Sequence, residues 1–194
     1  MRVFVAVDVG DAVRSEVTRV VGTITAKLEA VKTPPKVVWV KPAALHVTIR
    51  FIGEVESPEV ERLQEALAPP IAIAPFELVW RGIGTFPSPK HPRALWLGVV
   101  SGAGPLAEVE AEVSRRLAGA KAVELDDRAF LPHLTLGRVK MAGVGVDWPK
   151  ILQAVEIKHI TSVVDRVTLY RSQLSRQGPH YTELVSAPLI KTAS

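Results

Sequence analysis

Apolar residues recur along this chain with two different periods, and the switching between them predicts a mixed fold. Val3-Phe4-Val5-Ala6-Val7, closed by Asp8, is a short apolar run that predicts a strand. Val13, Val17, Val20, Val21, Ile24 and Leu28 then recur at spacings of three and four, which predicts an amphipathic helix capped by Asp11 and ended by Thr33-Pro34-Pro35. Lys36 to Val40 predicts a strand, and Lys41-Pro42-Ala43-Ala44 turns the chain into another that begins at Leu45. Ser57-Pro58-Glu59 opens a second helix with Val60, Leu63 and Leu67 on its buried side, before Pro69 and Pro70 stop it. Phe76 to Ile83 and Ala94 to Val100 predict strands joined by a proline-rich loop, Gly84 to Arg93. Pro105 opens a third helix carrying Leu106, Val109, Val113 and Leu117, and Lys121 to Leu125 predicts a short strand. Beyond a strand through His133, Gly143-Val144-Gly145 is a break and Asp147-Trp148-Pro149 starts a short helix. Val163 to Leu174 and Tyr181 to Ser186 predict the last two strands.

Strand, helix, strand appears in both halves. The expectation is an α+β fold: two pseudo-symmetric lobes of mostly antiparallel sheet, with outer helices, around a central cleft. No linker is long enough to separate independent units, so residues 1–194 are expected to form a single bilobed domain with a seam at Pro69 to Pro75.

Composition narrows the chemistry. The chain has no cysteine, which excludes disulfides, thiolate nucleophiles and zinc-thiolate sites. No apolar run approaches the roughly 18 residues that span a bilayer, and the opening segment carries Asp8 and reads as a strand, not a signal peptide. A cytoplasmic monomer is expected. The formal net charge of +4 favours an anionic partner. Arg50, Arg138, Lys140, Arg171 and Arg176 cluster within or just after candidate strands.

Two of those strands repeat one pattern. His46-Val47-Thr48-Ile49 and His133-Leu134-Thr135-Leu136 both read His, apolar, Thr, apolar. On a strand, His46 and Thr48 point one way and Val47 and Ile49 the other, and the second copy behaves alike. A single such histidine is ordinarily a half-buried structural residue. Two copies, in a chain with five histidines, offer two imidazoles with a hydroxyl beside each, and such a pair can supply both the acid and the base at neutral pH. The threonines suit a phosphoryl group as donors. No phosphate-cradling glycine loop and no metal-ligand spacing is present; a zinc site built on His46, His133 and a third ligand is the alternative.

These motifs, together with Arg2-Val3-Phe4-Val5-Ala6-Val7-Asp8, Pro92-Arg93-Ala94-Leu95-Trp96-Leu97-Gly98-Val99, Phe130-Leu131-Pro132 ahead of the second motif, Gly137-Arg138-Val139 after it, and Gly178-Pro179-His180-Tyr181, resemble the 2H phosphoesterases over nearly the full length. Within that group the chain looks like an RNA 2',3'-cyclic phosphodiesterase, a type also called 2'-5' RNA ligase. The resemblance implies hydrolysis of RNA 2',3'-cyclic phosphate ends, tRNA fragments among them, to 2'-phosphomonoesters without a cofactor. It implies His46 as the acid and His133 as the base, with reversal forming a 2'-5' linkage. Arg138 stands where the family often has a basic residue, although strict alternation turns it away from His133 and Thr135 unless Gly137 lets the strand bend. Phe4, Phe51 and Tyr181 are candidates to stack on a base, the hydrophobic core being the competing reading. Competing functions are an RNA-binding module for phosphate-ended RNA and a phosphodiesterase acting on 2'-5' oligonucleotides.

Overall fold

The computed structural model describes residues 1–120, 129–175 and 178–191. Nine strands and four helices follow in the order β1 (Arg2–Asp8), α1 (Asp11–Glu29), β2 (Lys36–Trp39), β3 (His46–Glu54), α2 (Ser57–Leu67), β4 (Phe76–Pro87), β5 (Pro92–Ser101), α3 (Ala103–Ala120), β6 (His133–Met141), α4 (Trp148–Gln153), β7 (Ile160–Val164), β8 (Arg166–Ser175) and β9 (Gly178–Pro188) among the described residues. The strand expected at Lys121 to Leu125 lies outside them, as does Arg176.

The strands form two antiparallel sheets, ordered β3-β1-β8-β9 and β2-β6-β5-β4-β7. With β2 set aside, the two orders follow one plan. Each begins with a His-x-Thr strand, continues with the preceding strand, to which α1 or α3 connects it, and adds two more. The pseudo-symmetric α+β expectation describes this architecture. The lobes do not, however, correspond to the two halves of the chain. β2 crosses to the second sheet and β3 returns, β4 to β7 complete the second sheet, and β8 and β9 return to the first. Pro69 to Pro75 is thus one crossing among four, and it is stitched in place where Ile71, fully buried, bridges to Leu189.

Burial explains why these elements form. The alternate residues Val3, Val5 and Val7 of β1 are at most 1% exposed and meet Val13, Val17, Val20, Ile24 and Leu28 of α1 in the same core. Fully burying one such side chain contributes roughly 1.5–3 kcal/mol. Leu106, Val109, Val113 and Leu117 of α3 do the same for the second lobe.

Several boundaries depart from the expectations. The residue at the cap of α1 is Gly10, which offers no side-chain hydrogen bond; Asp11 is already helical and ion-pairs with Arg14. α2 is closed by a capping box in which Glu56 and Glu59 each satisfy the other's backbone N–H, so Ser57 is inside the helix. β4 and β5 run through most of the proline-rich loop and leave only residues 88–91 between them. Prolines are tolerated there because β7 pairs only with Phe76 to Trp80, so the outer half of β4 has a free side where a missing N–H costs nothing. The run from Val163 to Leu174 is two strands. Asp165 and Arg166 place two exposed polar residues between buried Val164 and Val167, which breaks the alternation, and β7 and β8 fall into different sheets.

Candidate active site

A cleft of about 900 Å³ opens between the sheets. His46, Thr48, Thr135, Arg138, Tyr181 and Phe4 all line it. His133 does not line that volume; it stands beside it, two residues before Thr135 on β6.

Both histidines are held in the same way. His46 Nδ1 lies 2.8 Å from the carbonyl oxygen of Ala44, and His133 Nδ1 lies 2.7 Å from that of Leu131. A carbonyl only accepts, so each Nδ1 carries a hydrogen, and Nε2 is the nitrogen left for a ligand. Each motif makes this bond with the residue two positions earlier, so the tautomer is set locally by the turn that leads into the strand.

The surroundings of the two rings differ. His46 packs on Phe4, with centroids 4.8 Å apart, and meets the edge of Tyr181 at 5.2 Å. Phe4 is only 5% exposed and packs under the imidazole, with little of its ring open to the cleft. His133 meets Phe86 at 5.1 Å and Trp96 at 6.4 Å. Asp8 is the cross-strand neighbour of His46, and its carboxylate accepts a 2.7 Å hydrogen bond from the Tyr170 hydroxyl. The matching neighbour of His133 is Gly98. Burial holds the His46 imidazole below its ordinary titration range. The Ala44 carbonyl and Asp8 push it upward, and charge on His133 pushes it down, so the two rings sense each other. Burial raises the Tyr181 phenol and nearby Arg138 and Arg2 oppose this, which leaves the hydroxyl a neutral donor at neutral pH.

Arg138 reaches the cleft through an irregularity that both motif strands share. The β5–β6 register passes from Leu95 opposite Gly137 to Trp96 opposite Thr135, so Leu136 is an extra residue. In β3 the register passes from Val5 opposite Arg50 to Ala6 opposite Thr48, so Ile49 is extra. Each bulge buries its apolar residue and shifts the alternation by one. Residues three after a threonine therefore rejoin its face: Arg138 in one lobe and Phe51 in the other. Phe51 is 42% exposed and is not a core residue, and Arg2 stacks over its ring at 4.9 Å.

The remaining basic candidates divide. Lys140 lines the cleft. Arg50 turns away to α3, where it pairs with Glu110 at 2.6 Å and meets Ser114 at 2.7 Å. Arg171 also does not line the cleft, and its Nε is buried without a hydrogen-bond partner. Among the described residues no group of three or more His, Cys, Asp or Glu is placed to hold a metal ion, and no helix is long and apolar enough to cross a membrane. Sequence reasoning missed Asp8, Phe86 and Trp96 as neighbours of the histidines; the only signal for them is cross-strand register.

Comparisons with known proteins show what the chain as a whole is similar to. The model of the 2'-5' RNA ligase superfamily matches residues 25–176. The chain is 39% identical over 150 residues to an RNA 2',3'-cyclic phosphodiesterase of Aeropyrum pernix, covering 77% of this chain and 82% of that protein. It is 33% identical to one of Archaeoglobus fulgidus, covering 95% and 98%. Among solved structures, TT0787 of Thermus thermophilus superposes with a TM-score of 0.74 at 26% identity over the whole of both chains. Escherichia coli LigT complexed with 3'-AMP does so with 0.72 at 25% identity over 98% of each.

Proposed function

This chain belongs to the 2'-5' RNA ligase superfamily, and we propose that it hydrolyses RNA 2',3'-cyclic phosphate ends to 2'-phosphomonoesters with His46 and His133 as its acid–base pair. The observation that carries the proposal is the matched tautomer: two imidazoles, each with Nδ1–H tied to a backbone carbonyl and Nε2 left to act. In the forward direction His133 Nε2 takes a proton from water, and the hydroxide forms a bond to phosphorus. The bond from phosphorus to O3' breaks, and the proton on His46 Nε2 passes to that oxygen. His46 ends neutral and His133 protonated, and exchange with solvent resets them. Thr48 and Thr135 donate to the phosphoryl oxygens, Arg138 balances their charge and Tyr181 donates from the rim. With an RNA 5' hydroxyl in place of water, the same steps form a 2'-5' linkage.

Burial of His46 favours its neutral form before substrate binds, which opposes an acid role. A phosphate anion between the rings supplies the missing attraction, so the proton is taken up as substrate binds. Incubating the protein with RNA ending in a 2',3'-cyclic phosphate and identifying the product tests the reading. A 2'-phosphate with a free 3' hydroxyl is expected. A 3'-phosphate would reverse the leaving oxygen, and unchanged RNA that still binds would favour an RNA-binding module.

A further inference from the structure

The cleft is longer than one cyclic phosphate requires. On the first sheet its floor runs along β1 from Phe4, packed under His46, to Arg2, two residues and about 7 Å further on. Beyond the histidines the lining changes character. Arg2, Lys41, Arg138 and Lys140 contribute four cations, and no Asp or Glu lines the cleft among the described residues. None of the four is ion-paired among the described residues, whereas Arg50, Arg115 and Arg116, outside the cleft, all are. The same lining holds exposed apolar side chains: Phe51, 42% exposed with Arg2 over one part of its ring, and Leu174, 76% exposed. Cations without an ion-pair partner, mixed with exposed apolar faces, suit a chain that carries both phosphates and bases.

Resting on the reading above, we propose that this arm holds the nucleotides immediately 5' of the cyclic phosphate, with backbone phosphates along Arg138 and Lys140 and unstacked bases against Phe51 and Leu174. A strand ending in a 2',3'-cyclic phosphate extends only in the 5' direction from the terminal ribose. With its end between the histidines, it must leave along a lined path, and the basic one leads past Arg138. The bulge that brings Arg138 beside Thr135 also brings Lys140 to the same cleft, two residues on and about 7 Å further along the strand. The preferred substrate is therefore a single-stranded oligonucleotide end, and a mononucleotide is a poor one.

The test compares a nucleoside 2',3'-cyclic monophosphate with a tetranucleotide bearing the same end, in wild type, Lys140→Ala and Leu174→Ala. Wild type is expected to favour the tetranucleotide in kcat/KM by about tenfold or more, as for one stacked base. Both variants should lose most of that advantage while turnover of the mononucleotide stays unchanged, and Lys140→Ala should flatten the salt slope of tetranucleotide binding by about 0.7. Both side chains are exposed, so neither variant is expected to unfold. Equal kcat/KM for the two substrates, or variants that keep the full preference, would overturn the arm and leave the hydrolytic reading standing. Calorimetric binding of the 2'-phosphate-ended mononucleotide and tetranucleotide separates the two ideas. Length-dependent binding without turnover supports the arm and sinks the hydrolase. Turnover with length-independent binding sinks the arm alone.

Discussion

β3 and β6 carry the same plan through four positions and then diverge, and the divergence shows how one motif is put to two uses. Both present a histidine tied to a carbonyl two residues back, then a threonine, then a buried bulge residue. After the bulge the first lobe has Arg50 and Phe51, and the second has Gly137 and Arg138. The neighbours explain the difference. β3 is an edge strand, so Arg50 is free to reach α3. β6 is flanked by β2, whose Trp39 stands over Gly137, with its ring 2.6 Å from where a Cβ would sit. The second lobe thus keeps a glycine under Trp39 and places its cation in the cleft. The first lobe sends a cation to a helix, places an aromatic ring in the cleft, and covers it with Arg2. The histidines differ in the same spirit: His46 has a carboxylate beside it, and His133 has glycine.

The largest expected effect tests whether the two lobes act as a unit. His46→Ala and His133→Ala should each lower turnover of cyclic phosphate-ended RNA by about 10²–10⁴-fold. The double variant should be little worse than either single one. Losses that multiply would mean independent roles, and near wild-type rates in either single variant would remove that ring from the chemistry.

A smaller effect concerns the packing that separates the lobes. Gly137→Val should push Trp39 aside and cost about 1–3 kcal/mol in denaturant unfolding. Arg50→Lys at the equivalent place in β3 meets no such clash; it keeps the charge but loses the two-pronged contact with Ser114, and should shift the unfolding midpoint less, by about 0.5–1.5 kcal/mol. Equal midpoint shifts would show that β2 does not distinguish the two strands.

The smallest effect sharpens the assignment of acid and base. Asp8 pushes the His46 imidazole toward its protonated form, so Asp8→Asn should lower it further. An acid must be protonated and loses activity as pH rises past its titration, so the alkaline limb of the kcat/KM profile should move to lower pH. Tyr170, Tyr181 and His133 are the other titratable neighbours of this ring, and the variant leaves all three in place. Movement of the acidic limb alone would exchange the roles of the two histidines.

Much of the site is legible in the sequence because it depends on local periodicity. The two His-x-Thr patterns place imidazole and hydroxyl on one strand face wherever the strands go. Alternation fails at Arg138 and Phe51, where one extra buried residue shifts the phase, and nothing in Ile49 or Leu136 announces a bulge. It fails again at Asp165, where a polar pair that reads as a lapse in one strand is the passage between two sheets. Phe51 counts as apolar in any pattern, yet only the register with β1 shows it facing the cleft.

The sequence by itself therefore determined the fold class, the helices and strands with long apolar periods, the histidine–threonine pairs and the basic balance. These follow from side-chain spacing and from which chemical groups are present, and both are properties of short segments. Tertiary structure decided which sheet each strand joins, where Arg138 and Phe51 point, that Phe4 underlies His46, and that Asp8 stands beside one histidine and Gly98 beside the other. Those outcomes depend on pairing between residues far apart in the chain, where a shift of one position in register turns a side chain from core to cleft.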